Sequence, residues 1–168
     1  MNAICELARR SLKIWLEEGR RLQGEEPRGI RAACFVSLHE ANGELRGCIG
    51  TIEPVRDDLT LEIIENAVSA GTRDPRFPPV LPEELDGLTI EVSVLTPPEP
   101  VSGPLDLDAK RFGVVVRQGS RRGVLLPDLE GVDTVEQQLG ITKRKAGIYN
   151  EDPVELWRFT VERHHEHV

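Results

Sequence analysis

Leu45 to Thr51 reads LRGCIGT, a thiol two residues from a guanidinium with a glycine on either side of the Cys48-Ile49 pair. A guanidinium near a thiol favours the thiolate, which is the nucleophilic form. Strand alternation places Arg46 and Cys48 on one face. There Arg46 would anchor a carboxylate or phosphate through its planar fork, and Cys48 would act as nucleophile or ligand. Glycines weaken a strand, so Gly47 and Gly50 imply a bulge or another group approaching the backbone, a bound ligand among them. A second reading makes Cys48 a small buried hydrophobe, as thiols often are. The residues alone leave both readings open.

Other groups have chemistry within reach of this strand. Glu91 and Ser93 lie opposite Ile90 and Val92 on a strand, facing either solvent or a cleft beside Arg46. A partly buried Arg46 needs a carboxylate, and Glu91 is the acid the pattern offers. Asp74 and Arg76 flank Pro75 and read as a surface ion pair across a turn. His39, across a hairpin from Cys48, is the one histidine placed to serve it as a base. His164, His165 and His167 with Glu166 read as a frayed tail and not as a metal site, because no second ligand cluster fixes a geometry. No phosphate-binding loop, dinucleotide fingerprint, HExxH or CxxxCxxC pattern occurs, so no cofactor is expected.

The elements that must hold these groups follow from periodicity. Residues 2 to 22 carry Ile4, Leu7, Ala8, Ser11, Trp15 and Leu22 at helical spacing. Residues 32 to 39 and 45 to 51 read as strands joined at Asn42-Gly43, which suits a type I′ hairpin turn. Asp57 or Asp58 caps a helix bearing Leu59, Ile63, Ala67 and Ala70. A proline-dense stretch allows only a short helix around Glu83 to Leu85, and Leu88 to Leu95 is a strand. The second half has strands at 113–117 and 123–126, a helix capped by Asp133 or Thr134, and a last strand from Val154 to Arg163.

Both halves therefore run strand, hairpin, strand, capped helix, strand. Arg46-Gly47-Cys48-Ile49 is echoed by Arg122-Gly123-Val124-Leu125, with Val124 in place of the thiol. This predicts an α+β fold of two unequal lobes around antiparallel sheet, with a duplicated β-β-α-β-like pattern. One domain, residues 1–168, holds both lobes packed together, and the first helix and last strand share a lobe.

Composition narrows the function classes. The 168 residues carry 29 acids and 21 bases, a formal charge of −8. Residues 53–99 hold eleven of the acids and three bases, read as a solvated acidic face. Nucleic-acid and anionic-membrane binding rest on clustered cations, so neither is expected. Lys143, Arg144 and Lys145 form too small a patch to reverse that. An aromatic content of 4% argues against base stacking. Three cysteines fit reduced thiols and a cytoplasmic location, and no apolar run reaches the roughly 20 residues of a membrane span.

LRGCIG at 45–50 resembles the signature hexapeptide of the AMMECR family. Asp74-Pro75-Arg76-Phe77, Ile90 to Pro98, Leu125-Leu126-Pro127 and Lys145-Ala146-Gly147 are similar to that family's other blocks, in the same order. The resemblance implies an α+β fold of two lobes with a cleft between them, and no settled activity. It also implies a place beside Memo-type and radical-SAM proteins in a modification pathway. Two readings of the role follow. One is a cleft-binding or adaptor module holding a small molecule or peptide; the other is an enzyme using Cys48, with Arg46 holding an anionic substrate. In either case the resemblance adds Ile49, Thr51 and Lys145 to a binding set of Arg46, Gly47, Gly50, Asp74, Arg76, Glu91 and Ser93 around Cys48.

Overall fold

A computed structural model describes residues 2–166. The elements run α1 (Ala3–Glu18), β1 (Ala33–His39), β2 (Leu45–Gly50), α2 (Leu59–Thr72), β3 (Thr89–Leu95), β4 (Glu99–Val101), β5 (Gly113–Gln118), β6 (Arg121–Leu125), α3 (Val135–Ala146), β7 (Glu155–Phe159) and β8 (Val161–His165). Two compact units result: residues up to Leu95 with those from Glu162 onward, and Thr96–Val161. Each has a four-stranded antiparallel sheet, ordered β2-β1-β3-β8 in the first unit and β4-β7-β5-β6 in the second. This is the α+β architecture the doubled pattern predicts.

In the first unit the inward positions of β1 and β3 (Cys34, Val36, Leu38, Ile90 and Val92) pack with Leu12 of α1 and Ile63 and Ala67 of α2 in one apolar core. Each buried Leu, Ile or Val contributes about 1.5–3 kcal/mol. Asn2 caps α1, its side chain accepting from the amides of Ile4 and Cys5, and Gly19 ends the helix in the left-handed conformation. The helix therefore stops short of residue 22. Asp58 caps α2, accepting from Thr60 N. In the second unit Val114, Val116, Leu125 and Leu156 form a separate core, and Thr134 caps α3 with a reciprocal bond from Gln137.

Close packing of helix on strand explains two glycines. A Cβ at Gly47 would lie 2.3 Å from the Ala70 carbonyl oxygen of α2; at Gly123 it would lie 2.5 Å from the Thr142 oxygen of α3. The sequence echo thus marks one device used twice, a bare spot on an edge strand against which a helix backbone presses.

Three expectations change. The last strand is two strands, β7 and β8, broken at Thr160 and belonging to different sheets. The tail is ordered through Glu166: His164 and His165 lie in β8, and buried Glu166 accepts from Arg9 Nε (2.6 Å) and Ile90 N (2.6 Å). An ion pair plus a backbone amide fixes what composition alone suggests is loose. His167 lies outside the described residues.

The hairpin turn, finally, is not type I′. Its loop is Ala41-Asn42-Gly43, with Gly43 N bonded to Glu40 O, Glu40 N to Glu44 O, and Gly43 at φ 88°. Within this loop Gly43 alone takes the left-handed region, as in a type I turn followed by one αL residue. No helix among the described residues is long and apolar enough to cross a membrane.

Candidate functional site

The three-residue loop pairs His39 with Leu45, yet one step further Leu38 pairs with Gly47. Arg46 is therefore an extra residue, bulged out of the ladder. A bulge re-aims the side chain it carries, and simple alternation with Cys48 no longer applies. The Arg46 side chain is 10% exposed; Nε donates to Glu84 Oε2 (3.1 Å) and Nη2 to Glu84 Oε1 (3.3 Å) and the Pro79 carbonyl (3.4 Å). Glu84 sits in the 3-10 turn Pro82–Gly87, and the Arg46 bond holds its carboxyl below the usual carboxylate range. The carboxylate of Arg46 is thus Glu84, not Glu91.

Beyond the bulge the register is regular. Cys48 stands opposite Ser37, and Ser37 opposite Glu91, so three strands present one row of polar side chains. Ser37 Oγ lies 3.6 Å from Cys48 Sγ. Glu91 is 3.6 Å from His39 Nε2, 3.5 Å from Arg163 Nε and 4.0 Å from His165 Nε2. The Glu91 carboxylate thereby links the row to β8, while Ser93, two residues along, is buried.

β2 is an edge strand, and its outward amide at Cys48 is covered. Asp74 Oδ2 accepts from Cys48 N at 3.0 Å. The same carboxylate accepts from Arg76 N (3.0 Å), Nε (3.0 Å) and Nη2 (2.8 Å). Asp74 is buried, and these donors, the Arg76 guanidinium first, hold its carboxyl far below the ordinary range. Asp74 and Arg76 do pair, but not as an ordinary surface ion pair. They form a clamp on the backbone of the thiol residue.

The three thiols are unlike. Cys5 and Cys34 are buried, and burial pushes them up to about 11 and about 12. Cys48 is only partly covered. At Gly50 a Cβ would meet the Phe35 ring at 2.4 Å, and at Gly47 it would meet α2, so protein groups occupy both approaches. Ile49 packs against the first core, and the Thr51 hydroxyl is buried with no hydrogen-bond partner among the described residues. Lys145 belongs to the second unit, where Nζ donates to the Val124 carbonyl (3.0 Å).

The first unit therefore brings together Cys48, Asp74, Arg76 and Glu91, and adds Ser37, Glu84 and Arg163, which pattern reading missed. For Ser37 a signal existed: counting pairs outward from Asn42-Gly43 sets 37 against 48. Some of the acids of 53–99 are taken up in ion pairs, with Glu65 on Arg21 and Arg73, Asp74 on Arg76 and Glu84 on Arg46, while Glu53, Asp57, Glu83 and Asp86 are exposed. The segment is in part a set of local ion pairs and in part the solvated face its composition suggests.

The AMMECR1 family model matches residues 5–164. The chain belongs to the AMMECR1 family. Its AMMECR1 relatives include a Thermotoga maritima protein, 58% identical over 80% of this chain and 78% of that one. A Clostridium acetobutylicum protein is 44% identical over 96% of this chain but only 35% of its own length, so the chain spans about a third of that relative. Among solved structures the crystal structure of Uncharacterized Protein PH0010 from Pyrococcus horikoshii is similar, with a TM-score of 0.87 at 35% identity, covering 95% of this chain and 88% of that one. The LRGCIG hexapeptide is β2 itself, bulge, thiol and both packing glycines included.

Proposed function

We propose that the chain is a binding module whose site is the Cys48 face of the first unit. A ligand or a presented peptide lies over the Cys48–Ser37–Glu91 row, and the outer edge of Arg76 meets its anionic group. The reading is carried by one observation: this row is polar and clamped, whereas the matching row of the second sheet, Val124–Val115–Trp157, is apolar. The family resemblance gives the context. The module works in the cytoplasm as an adaptor beside Memo-type and radical-SAM proteins in a modification pathway.

The enzyme reading assigned Arg46 to hold the substrate, and that guanidinium is occupied by Glu84. What favours an enzyme is a thiol only partly covered, on a residue whose backbone the Asp74–Arg76 pair holds in place. Titrating a Memo-type protein of the same organism against native protein, Arg76→Ala and Cys48→Ser separates the two. A binding module loses about tenfold or more in affinity, at least about 1.4 kcal/mol, with Arg76→Ala and little with Cys48→Ser. A Memo-type protein that binds all three equally, or not at all, overturns the reading. A covalent adduct that disappears only in Cys48→Ser establishes the nucleophile instead.

A further inference from the structure

In the first unit the turn after α2 sends Asp74 to the edge of β2. The topologically equivalent place in the second unit is where α3 ends beside β6, and it carries cations. Arg121 Nη1 donates to the Gly147 carbonyl (2.8 Å), and Lys145 donates to Val124 O. Lys143, Arg144 and Lys145 fill the last turn of α3. The partner of Arg121 is a backbone oxygen. Among the described residues no carboxylate stands at ion-pair distance from Arg121, Lys143 or Arg144. The helix dipole accounts for cations in the last turn, at about 0.3–1 kcal/mol each, but not for Arg121, which arrives from β6.

Many of this chain's arginines are neutralised at home, although Arg28, Arg31, Arg56 and Arg111 stand without a carboxylate at ion-pair distance among the described residues. Arg9, Arg21, Arg46, Arg76, Arg117 and Arg158 each lie on a carboxylate. What sets the end of α3 apart is that Arg121, Lys143 and Arg144 gather there without such a carboxylate among the described residues, and Tyr149, 80% exposed, stands two residues past Gly147. Arginine and tyrosine are the residues that anchor protein interfaces.

We propose that this corner docks an acidic segment of a partner protein. Arg121 and Arg144 offer planar forks that match carboxylates, and Tyr149 offers an amphipathic ring beside them. A short acidic segment feels the patch alone. A nucleic acid runs beyond it and meets a chain of charge −8 within a Debye length of about 8 Å. A second copy of this chain is a poor occupant, because docking it brings together two chains of charge −8.

Fluorescence anisotropy with a labelled polyglutamate peptide of about ten residues tests this on the full chain. Binding is expected at about 50 mM salt and should weaken at about 150 mM. Lys143→Glu with Arg144→Glu should weaken it about tenfold or more, and Arg121→Ala should weaken it less. Lys13→Glu on α1 should leave it unchanged, which ties binding to the end of α3 and not to any cation of the chain. Thermal melting of each variant verifies folding. No binding by the native chain, an equal loss in Lys13→Glu, or tighter binding of an oligothymidylate of equal charge overturns the proposal.

Discussion

The two units share a plan and differ in what they mount on it. Read outward from the bare-glycine edge, the sheets run β2-β1-β3-β8 and β6-β5-β7-β4. Gly47 admits α2 and Gly123 admits α3. One residue beyond each glycine the units part: Cys48–Ser37–Glu91 in the first, Val124–Val115–Trp157 in the second. The second row shows that this strand architecture needs neither thiol, hydroxyl nor carboxylate. A buried aspartate bonded to the Cys48 amide and an arginine held beside it are therefore not requirements of the fold. They are additions to one copy of a repeated scaffold, and that is the physical ground for placing a site there.

The comparison breaks first at the glycines. Gly47→Ala and Gly123→Ala each drive a methyl into a helix carbonyl, and each should cost about 3 kcal/mol in urea denaturation. A large loss at one and none at the other would mean that the units do not share the device. Arg46→Ala comes next. It strips Glu84 and the Pro79 carbonyl of a donor, and with Glu84 about a third exposed the loss should be about 2 kcal/mol. Arg122, its echo partner, lies on the exposed face of the second unit, and Arg122→Ala should cost less in the same assay.

Cys48→Val installs the residue of the second unit. Stability should change by about 1 kcal/mol or less, while iodoacetamide labelling of the native protein, followed by mass spectrometry, should fall from one thiol to none. Labelling of Cys5 or Cys34 before unfolding would contradict their burial.

The smallest effect concerns Asp58, the cap of α2. Its carboxyl is lowered from 3.8 to about 2, first by the Arg28 amide and then by the Thr60 amide. A depressed carboxyl stabilises the fold above its unfolded value and loses that contribution as pH falls through the folded one. Asp58→Asn should flatten the acid limb of a thermal-melting profile between about pH 4 and 2. Near neutral pH it should leave the melting temperature little altered, because asparagine is also a good cap.

Much of this plan is legible in the residues. Helical spacing, the Asn42-Gly43 turn and alternation in Thr89–Leu95 place most of the elements, and the Arg-Gly echo points to the repeat. What escaped depends on departures from simple periods. The loop of 41–43 is one residue longer than a two-residue turn, and the bulge at Arg46 restores the count. Ser37 against Cys48 is therefore found by naive counting, while the direction of Arg46 is not. Glu84 was hidden because an ion pair between a strand and a proline-rich 3-10 turn leaves no periodic trace. The break between β7 and β8 was hidden because Glu155–His165 alternates almost without interruption, and only tertiary pairing sends the two pieces to different sheets.

That break has a consequence for synthesis. β4 follows β3 along the chain but joins the second sheet, and β8 follows β7 but joins the first. As the polypeptide leaves the ribosome, the first sheet waits with β3 as an open edge until residues 161–165 emerge. The Arg9 guanidinium and the Ile90 amide likewise wait for Glu166. An unpaired edge is a template for wrong pairing, so the nascent first unit is exposed to mispairing for nearly the whole time the second is being made. The unit that carries the thiol is closed by the last residues of the chain to be translated that the structure describes.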